Sequence, residues 1–302
     1  MLVAILLGIV QGLTEFIPVS SSGHLALAGA VLDVTTRGLA MDVALHMGTL
    51  AAVVVVFRSE LFGMLGALLG RVDAPVLKRL AGLLVVGTVP IVIAGPLLQP
   101  TIERLAASPR AASALLLGTA ALLLAGEAFR RRRVTAVGSP APSRPRGASS
   151  APTSGPSPAG ADHGRLAPPD PEDPHGRGLE ELTGTRAVSI GVAQCLALAP
   201  GISRSGATIA AGMAVGMTRV AATRFSFLLS LPALVGAAVL TLPDLAVAGG
   251  PPLAEVLAGA IAAFVAGYAA IRLLLALVAR FGLQVFAGYC VVIATIGLAL
   301  TA

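Results

Sequence analysis

The chain has 302 residues, of which 56 % are hydrophobic and only 12 % charged, with a formal net charge of +6. Soluble domains carry about a quarter charged residues, so this composition excludes a water-soluble globule. The apolar runs are continuous rather than alternating, which excludes a β-barrel. With no Trp, two Tyr and most basic residues lying between apolar runs, the positive balance indicates membrane topology and not nucleic-acid binding.

The chain opens on an apolar stretch, residues 1–17, followed directly by a polar break centred on Pro18. No basic segment precedes it and Glu15, Ser20, Ser21, Ser22 and His24 follow at once, so it is read as part of the fold and not as a cleaved leader. A second short apolar piece, 25–32, comes next; runs this short suit re-entrant half-helices better than full spans. Runs long enough to cross a bilayer occupy 40–57, 80–99, 111–129, 225–242, 253–271 and 282–301. Residues 130–185 begin with four arginines and continue rich in Pro, Gly, Ser and Ala, a composition that cannot offset its ordering entropy. They are expected to form a disordered linker, with His163 and His175 solvated in it. Residues 187–199 are again apolar and short, break at Pro200, and resume at 207–217. Cys195 and Cys290 lie in apolar runs without a paired spacing and read as small buried residues.

The parts before and after the linker resemble each other. A shift of 183 positions superposes Gly8 on Gly191, Gln11 on Gln194, Ser20 on Ser203, Ser22 on Ser205, Gly23 on Gly206 and Gly29 on Gly212. The expected architecture is an all-α polytopic membrane protein built from two inverted repeats. It has about six transmembrane helices plus two re-entrant helix–break–helix hairpins, with residues 1–129 and 186–302 as the repeats and 130–185 between them. Threading the chain this way puts 17 of the 21 Lys and Arg on one side, against Arg37, Arg104 and Arg110 on the other. By the positive-inside rule the linker is cytoplasmic and both termini face outward.

The two breaks carry the polar chemistry. Gln11 and Glu15 are four residues apart and share a helix face; a carboxylate at membrane depth is a functional-site candidate by default. Ser20, Ser21, Ser22 and Gly23 supply hydroxyls and N–H groups where the next half-helix begins, a setting that attracts anions. His24 follows, able to move a proton near neutral pH. In the second break Gly201 and Gly206 let the backbone fold tightly, Arg204 is a bidentate donor suited to phosphate oxygens, and Ser203, Ser205 and Thr208 add hydroxyls. Asp42 and His46 form a further i, i+4 pair, read as packing or support for the site. Glu127 is expected to face arginines near the end of its span. The combined picture is an anion cradle beside a carboxylate and an imidazole.

These motifs resemble the bacitracin-resistance family of undecaprenyl-diphosphate phosphatases. The resemblance rests on Gln11 and Glu15, Ser20-Ser21-Ser22-Gly23-His24, and Pro200-Gly201-Ile202-Ser203-Arg204-Ser205-Gly206-Ala207-Thr208. It extends to Asp42–Thr49 and Arg224–Leu229, and covers nearly everything except the 130–185 insert. It implies hydrolysis of a polyprenyl diphosphate to the monophosphate carrier lipid of cell-wall synthesis, in the bacterial cytoplasmic membrane. A divalent cation (Mg²⁺ or Ca²⁺), a homodimer and an outward-opening site are further implications. On that basis Arg204, Ser203, Ser205 and Thr208 are expected to hold the diphosphate, with Gln11, Ser20, Ser22 and Gly201 also lining the substrate. Glu15, helped by Gln11, is the candidate metal ligand or water-orienting group. Ser21 is the candidate nucleophile or phosphate ligand and His24 the general acid/base. The rival class is a secondary transporter or flippase for an anionic or lipid-phosphate substrate, since broken helices in inverted repeats also build carriers.

Overall fold

The computed structural model describes residues 1–31, 39–137, 173, 176–241 and 251–301. Their regular structure is helical: α1 Leu2–Phe16, α2 Ser21–Val31, α3 Leu39–Val56, α4 Arg58–Leu68, α5 Pro75–Ala106, α6 Pro109–Val137, α7 Gly184–Gln194, α8 Arg204–Ala214, α9 Arg219–Thr241, α10 Leu253–Phe281 and α11 Gln284–Leu300. Short 3₁₀ turns at Leu179–Glu181 and Cys195–Leu198 complete them. Each predicted spanning run is helical over nearly all of its described residues. By length and apolarity α5, α6, α9 and α10 suffice to cross a bilayer, and α3 with α4 qualify as a pair bent by 76°. At 17 residues, α11 is the shortest of the six.

The breaks arise where proline follows. A residue before proline is disfavoured in the helical region. Ile17, before Pro18, accordingly leaves α1 in an extended conformation (φ −61°, ψ 133°). Ala199, before Pro200, does the same (φ −77°, ψ 119°) after the 3₁₀ turn that prolongs α7.

Each repeat gives its first helix to the other: α1 packs on α10, and α7 on α5. Glycine makes both contacts possible. A Cβ at Gly8 would fall 2.3 Å from the Gly259 carbonyl oxygen, and one at Gly191 would fall 2.1 Å from that of Gly87. Small residues allow such backbone approach in membrane helix pairs. Between the crossings, α3 packs on α9. Phe16 and Phe57 there meet Phe227 edge-on, with ring centroids 5.4 and 6.2 Å apart. The outer faces stay apolar and exposed, as at Leu97, Ile261 and Val285, which suits hydrocarbon contact and not water.

Two boundaries differ from the sequence expectation. Residues 58–68 are helical and not a loop, with Leu61 and Met64 presenting an apolar face to the core. The arginine run expected to open the linker instead continues α6 to Val137. Glu127 explains part of this. It is buried and takes hydrogen bonds from Arg219 Nε (2.7 Å), the Leu283 amide (3.0 Å) and Arg130 Nε (3.3 Å), the pairing that a buried carboxylate requires. Arg133 pairs with buried Asp173, and Leu179 and Leu182 are buried in the core, so the end of the expected linker is packed structure. His163 and His175 lie outside the described residues.

Candidate active site

The two breaks meet in the interior and share one capping geometry. In the first, the Gly23 amide donates to Ser20 Oγ at 3.3 Å, and Ser20 and Ser22 hydroxyls lie 3.2 Å apart. In the second, the Gly206 amide donates to Ser203 Oγ at 3.0 Å, and Ser203 and Ser205 hydroxyls lie 3.0 Å apart. Each serine therefore satisfies one of the orphan amides at a half-helix start. The backbone differs between the two. Ser20 sits at φ +70°, the left-handed region that a non-glycine residue enters at a cost. Ser203 has an ordinary φ of −74°. The second break places its positive φ (+103°) at Gly201, where a Cβ would also fall 2.2 Å from the Ala112 carbonyl oxygen. Thr119 of α6 pins this turn, donating to Gly201 O (2.9 Å) and accepting from the Ser203 amide (2.8 Å).

Contacts between the breaks make one site. Gly201 N donates to Ser22 Oγ at 3.2 Å, and the Arg204 guanidinium pairs with Glu15 Oε1. Glu15 Oε2 accepts the Ser21 hydroxyl at 2.5 Å and Gln11 Nε2 at 3.0 Å. Arg204 also reaches Ser230 O at 3.4 Å. A cavity of about 230 Å³ opens over this chain of groups. Its polar lining is Glu15, Ser20, Ser21, Ser22, His46, Ser203 and Arg204. Its apolar wall includes Ile91 of α5 and Ala233 and Leu234 of α9, the residues that directly follow Pro90 and Pro232.

The structure thus gathers Glu15, Ser20, Ser21, Ser22, Ser203 and Arg204, from positions up to 189 residues apart, around one cavity. Gln11 lies fully buried behind Glu15, and Gly201 shapes the second turn without lining the cavity. Ser205 is spent on Ser203 and on Ile17 O at 3.5 Å. Thr208 is bonded to its own helix and to Ser226 at 2.6 Å, away from the lining. His24 is also outside it. Its Nδ1 donates to Ser20 O at 2.8 Å, which turns the ring toward α11. There Nε2 meets the Tyr289 hydroxyl at 2.9 Å and the two rings stack with centroids 5.5 Å apart. The imidazole in the cavity is that of His46, half-buried on α3 and within electrostatic range of Glu15. Its spacing to Asp42 is visible in the sequence; its direction is not.

A divalent cation finds oxygen donors here, including buried Gln11 Oε1, which has no hydrogen-bond partner among the described residues. The central carboxylate is engaged by three donors, one of them a guanidinium. No three His, Cys, Asp or Glu side chains converge among the described residues.

Comparison with known proteins identifies the family. The model of the bacitracin resistance protein BacA family matches residues 4–296. The chain is 40 % identical to an undecaprenyl-diphosphatase of Desulfosudis oleivorans, over 96 % of this chain and 94 % of that protein. It is 39 % identical to that of Rubrobacter xylanophilus, with the same two coverages, and 34 % identical to that of Methanosphaera stadtmanae, over 99 % and 97 %. With a family model spanning nearly the whole chain and relatives aligned end to end, this multi-pass membrane protein belongs to the bacitracin resistance protein BacA family.

Proposed function

We infer that the chain is an undecaprenyl-diphosphate phosphatase, releasing phosphate from the lipid diphosphate and leaving the monophosphate carrier lipid. The observation that carries this reading is the Ser21–Glu15–Arg204 chain lining a cavity whose remaining wall is largely apolar. A hydroxyl held by a carboxylate is the arrangement of a nucleophile and its base. A guanidinium beside them offers planar donors to phosphate oxygens whose charge spreads during transfer.

In this mechanism Ser21 Oγ bonds to the terminal phosphorus and passes its proton to Glu15 Oε2. The bridging P–O bond breaks, and its electron pair leaves with the lipid monophosphate. Water then attacks the phosphoserine, inorganic phosphate departs, and Ser21 Oγ recovers its proton. Arg204, with the Ser20, Ser22 and Ser203 hydroxyls, holds the transferring group in line. The lipid tail stays in hydrocarbon, leaving the cavity past its apolar Ile91 and Leu234 wall. Where a divalent cation takes part, Glu15 with Gln11 would hold it, and it would neutralise charge on the diphosphate. The carrier alternative is not favoured, since the relatives are named as diphosphatases. The same reading places the protein in the bacterial cytoplasmic membrane as a homodimer with its cavity opening outward, supported by the Lys/Arg distribution and the family resemblance.

The test is phosphate release from undecaprenyl diphosphate by the purified chain, with Arg204→Ala and Glu15→Ala as inactive controls. A ³²P-labelled phosphoserine that is absent in Ser21→Ala supports the covalent route; full turnover by Ser21→Ala removes it. No release from any lipid diphosphate, with lipid flux persisting in vesicles, would replace the enzyme by a carrier.

A further inference from the structure

The turn of the first hairpin has a support that the second lacks. Among the described residues, Ser20 is the one non-glycine with a positive φ (+70°), and it immediately precedes Ser21. Such a backbone persists only where its surroundings over-determine it. In the second hairpin Ser203 has an ordinary φ, and its carbonyl accepts the Ala207 amide at 2.8 Å. The Ser20 carbonyl accepts the corresponding amide, that of His24, at a longer 3.2 Å, and it accepts His24 Nδ1 as well, at 2.8 Å. At the 183-residue shift His24 stands where the second hairpin has Ala207, which has no side chain to add. The strained turn and the imidazole occur together in one repeat, and neither occurs in the other.

The imidazole is itself held from behind. With its Nδ1–H given to a carbonyl, the neutral ring keeps a lone pair on Nε2, and the Tyr289 hydroxyl donates to it at 2.9 Å. The partner of one ring nitrogen fixes the tautomer, and so decides what the other can do. The two rings lie parallel within 2°. Tyr289 is carried by α11, whose backbone runs close to α2: a Cβ at Gly297 would fall 3.0 Å from Leu27 Cδ2. The neighbouring Cys290 points its thiol at Pro18 O, 3.9 Å away, so α11 backs the whole break. Neither Tyr289 nor His24 lines the cavity, whereas Ser20 and Ser21 do.

We propose that Tyr289 is a positioning residue for the reaction. By holding His24 in the tautomer that donates to Ser20 O, it keeps the left-handed turn that aims Ser21 Oγ at Glu15 Oε2. The proposal rests on Ser21 and Glu15 being the reacting pair. Rotation of the backbone at Ser20 swings the hydroxyl of the next residue, and a displacement of about 1 Å at a reacting group can cost 10²-fold in rate.

The experiment is a double-mutant cycle of Tyr289→Phe and Ser20→Gly in the purified full chain, read as phosphate release from undecaprenyl diphosphate. Tyr289→Phe removes one hydroxyl and keeps the ring. It should lower kcat on the order of tenfold and leave KM unchanged, because Tyr289 does not touch substrate. Glycine holds a positive φ without strain, so the turn no longer needs the brace in Ser20→Gly. On that background the further loss from Tyr289→Phe should shrink to about twofold or less. A merely structural tyrosine would instead lower the thermal midpoint on both backgrounds and leave kcat per folded molecule intact. That result overturns the proposal. So does an equal loss of kcat on both backgrounds, the pattern expected if His24 moved protons itself. No release by wild type sinks the enzymatic reading and the proposal with it, whereas turnover by wild type without coupling between the two substitutions sinks the brace alone.

Discussion

The two hairpins begin from one plan and end with different chemistry. Ser20 and Ser203 make the same cap, Ser22 and Ser205 the same hydroxyl contact, and Gly23 and Gly206 donate the same amide. At the position between the serines, however, the first hairpin has Ser21 and the second Arg204. Both residues reach the same carboxylate, Glu15, whose counterpart at the 183-residue shift is Leu198. The repeat supplies the scaffold, and function lies where the symmetry is broken. Gln194, counterpart of Gln11, shows the scaffold without the function: it is fully buried, and among the described residues neither end of its amide has a hydrogen-bond partner, no carboxylate standing one turn ahead.

The largest effects should follow from removing the residues that break the symmetry. Arg204→Ala takes away the donor nearest the transferring phosphoryl group and leaves Glu15 without its counter-charge. By comparison with the loss of a single preorganised donor, kcat should fall about 10²–10³-fold, measured as phosphate release. Arg204→Lys should restore only part of it, since an ammonium lacks the planar fork. If Arg204→Ala keeps wild-type kcat, the asymmetry at this position is structural and not catalytic.

A smaller effect, on stability, should be shared by both repeats. Gly8→Ala and Gly191→Ala each drive a methyl into a backbone carbonyl of the other repeat's long helix. Overpacking of this kind costs about 1–3 kcal/mol, read as a lowered thermal midpoint in detergent. Similar losses at the two sites would confirm that the exchanged crossings are equivalent, and loss at one alone would show that the repeats are not mechanically alike.

How much of this was legible in the sequence depends on the range of the physics involved. The breaks follow from Pro18 and Pro200, and the caps from Ser and Gly at fixed spacing, all local causes. Apolar run length likewise located the long helices. The rotation of each helix about its axis was not legible, because it is set by contacts such as Gly8 on Gly259, some 250 residues apart in the chain. That rotation decides which histidine faces the cavity, so the motif-borne His24 was favoured over His46. The same limit hid the packed end of the linker. Asp173 stands in a Pro-rich, polar stretch, and its burial depends on Arg133 projecting from the end of α6.

The smallest expected effect is also the one in which the two hairpins should differ in sign. Ser20 and Ser203 make the same cap, but only Ser20 holds a positive φ. Glycine in place of a capping serine costs a few tenths of a kcal/mol at the cap. At position 20 that loss is set against relief of a left-handed non-glycine conformation, a strain of about 1–3 kcal/mol. Ser20→Gly should therefore leave the thermal midpoint unchanged or raise it slightly. Glycine adds roughly 0.5–1 kcal/mol of backbone entropy to the cost at either position, but at 203 there is no strain to set against it. Ser203→Gly should lower the midpoint. Paired melting curves of the two variants decide the matter: equal shifts would mean that the first turn carries no strain, and that the hairpins differ only in the side chains they present.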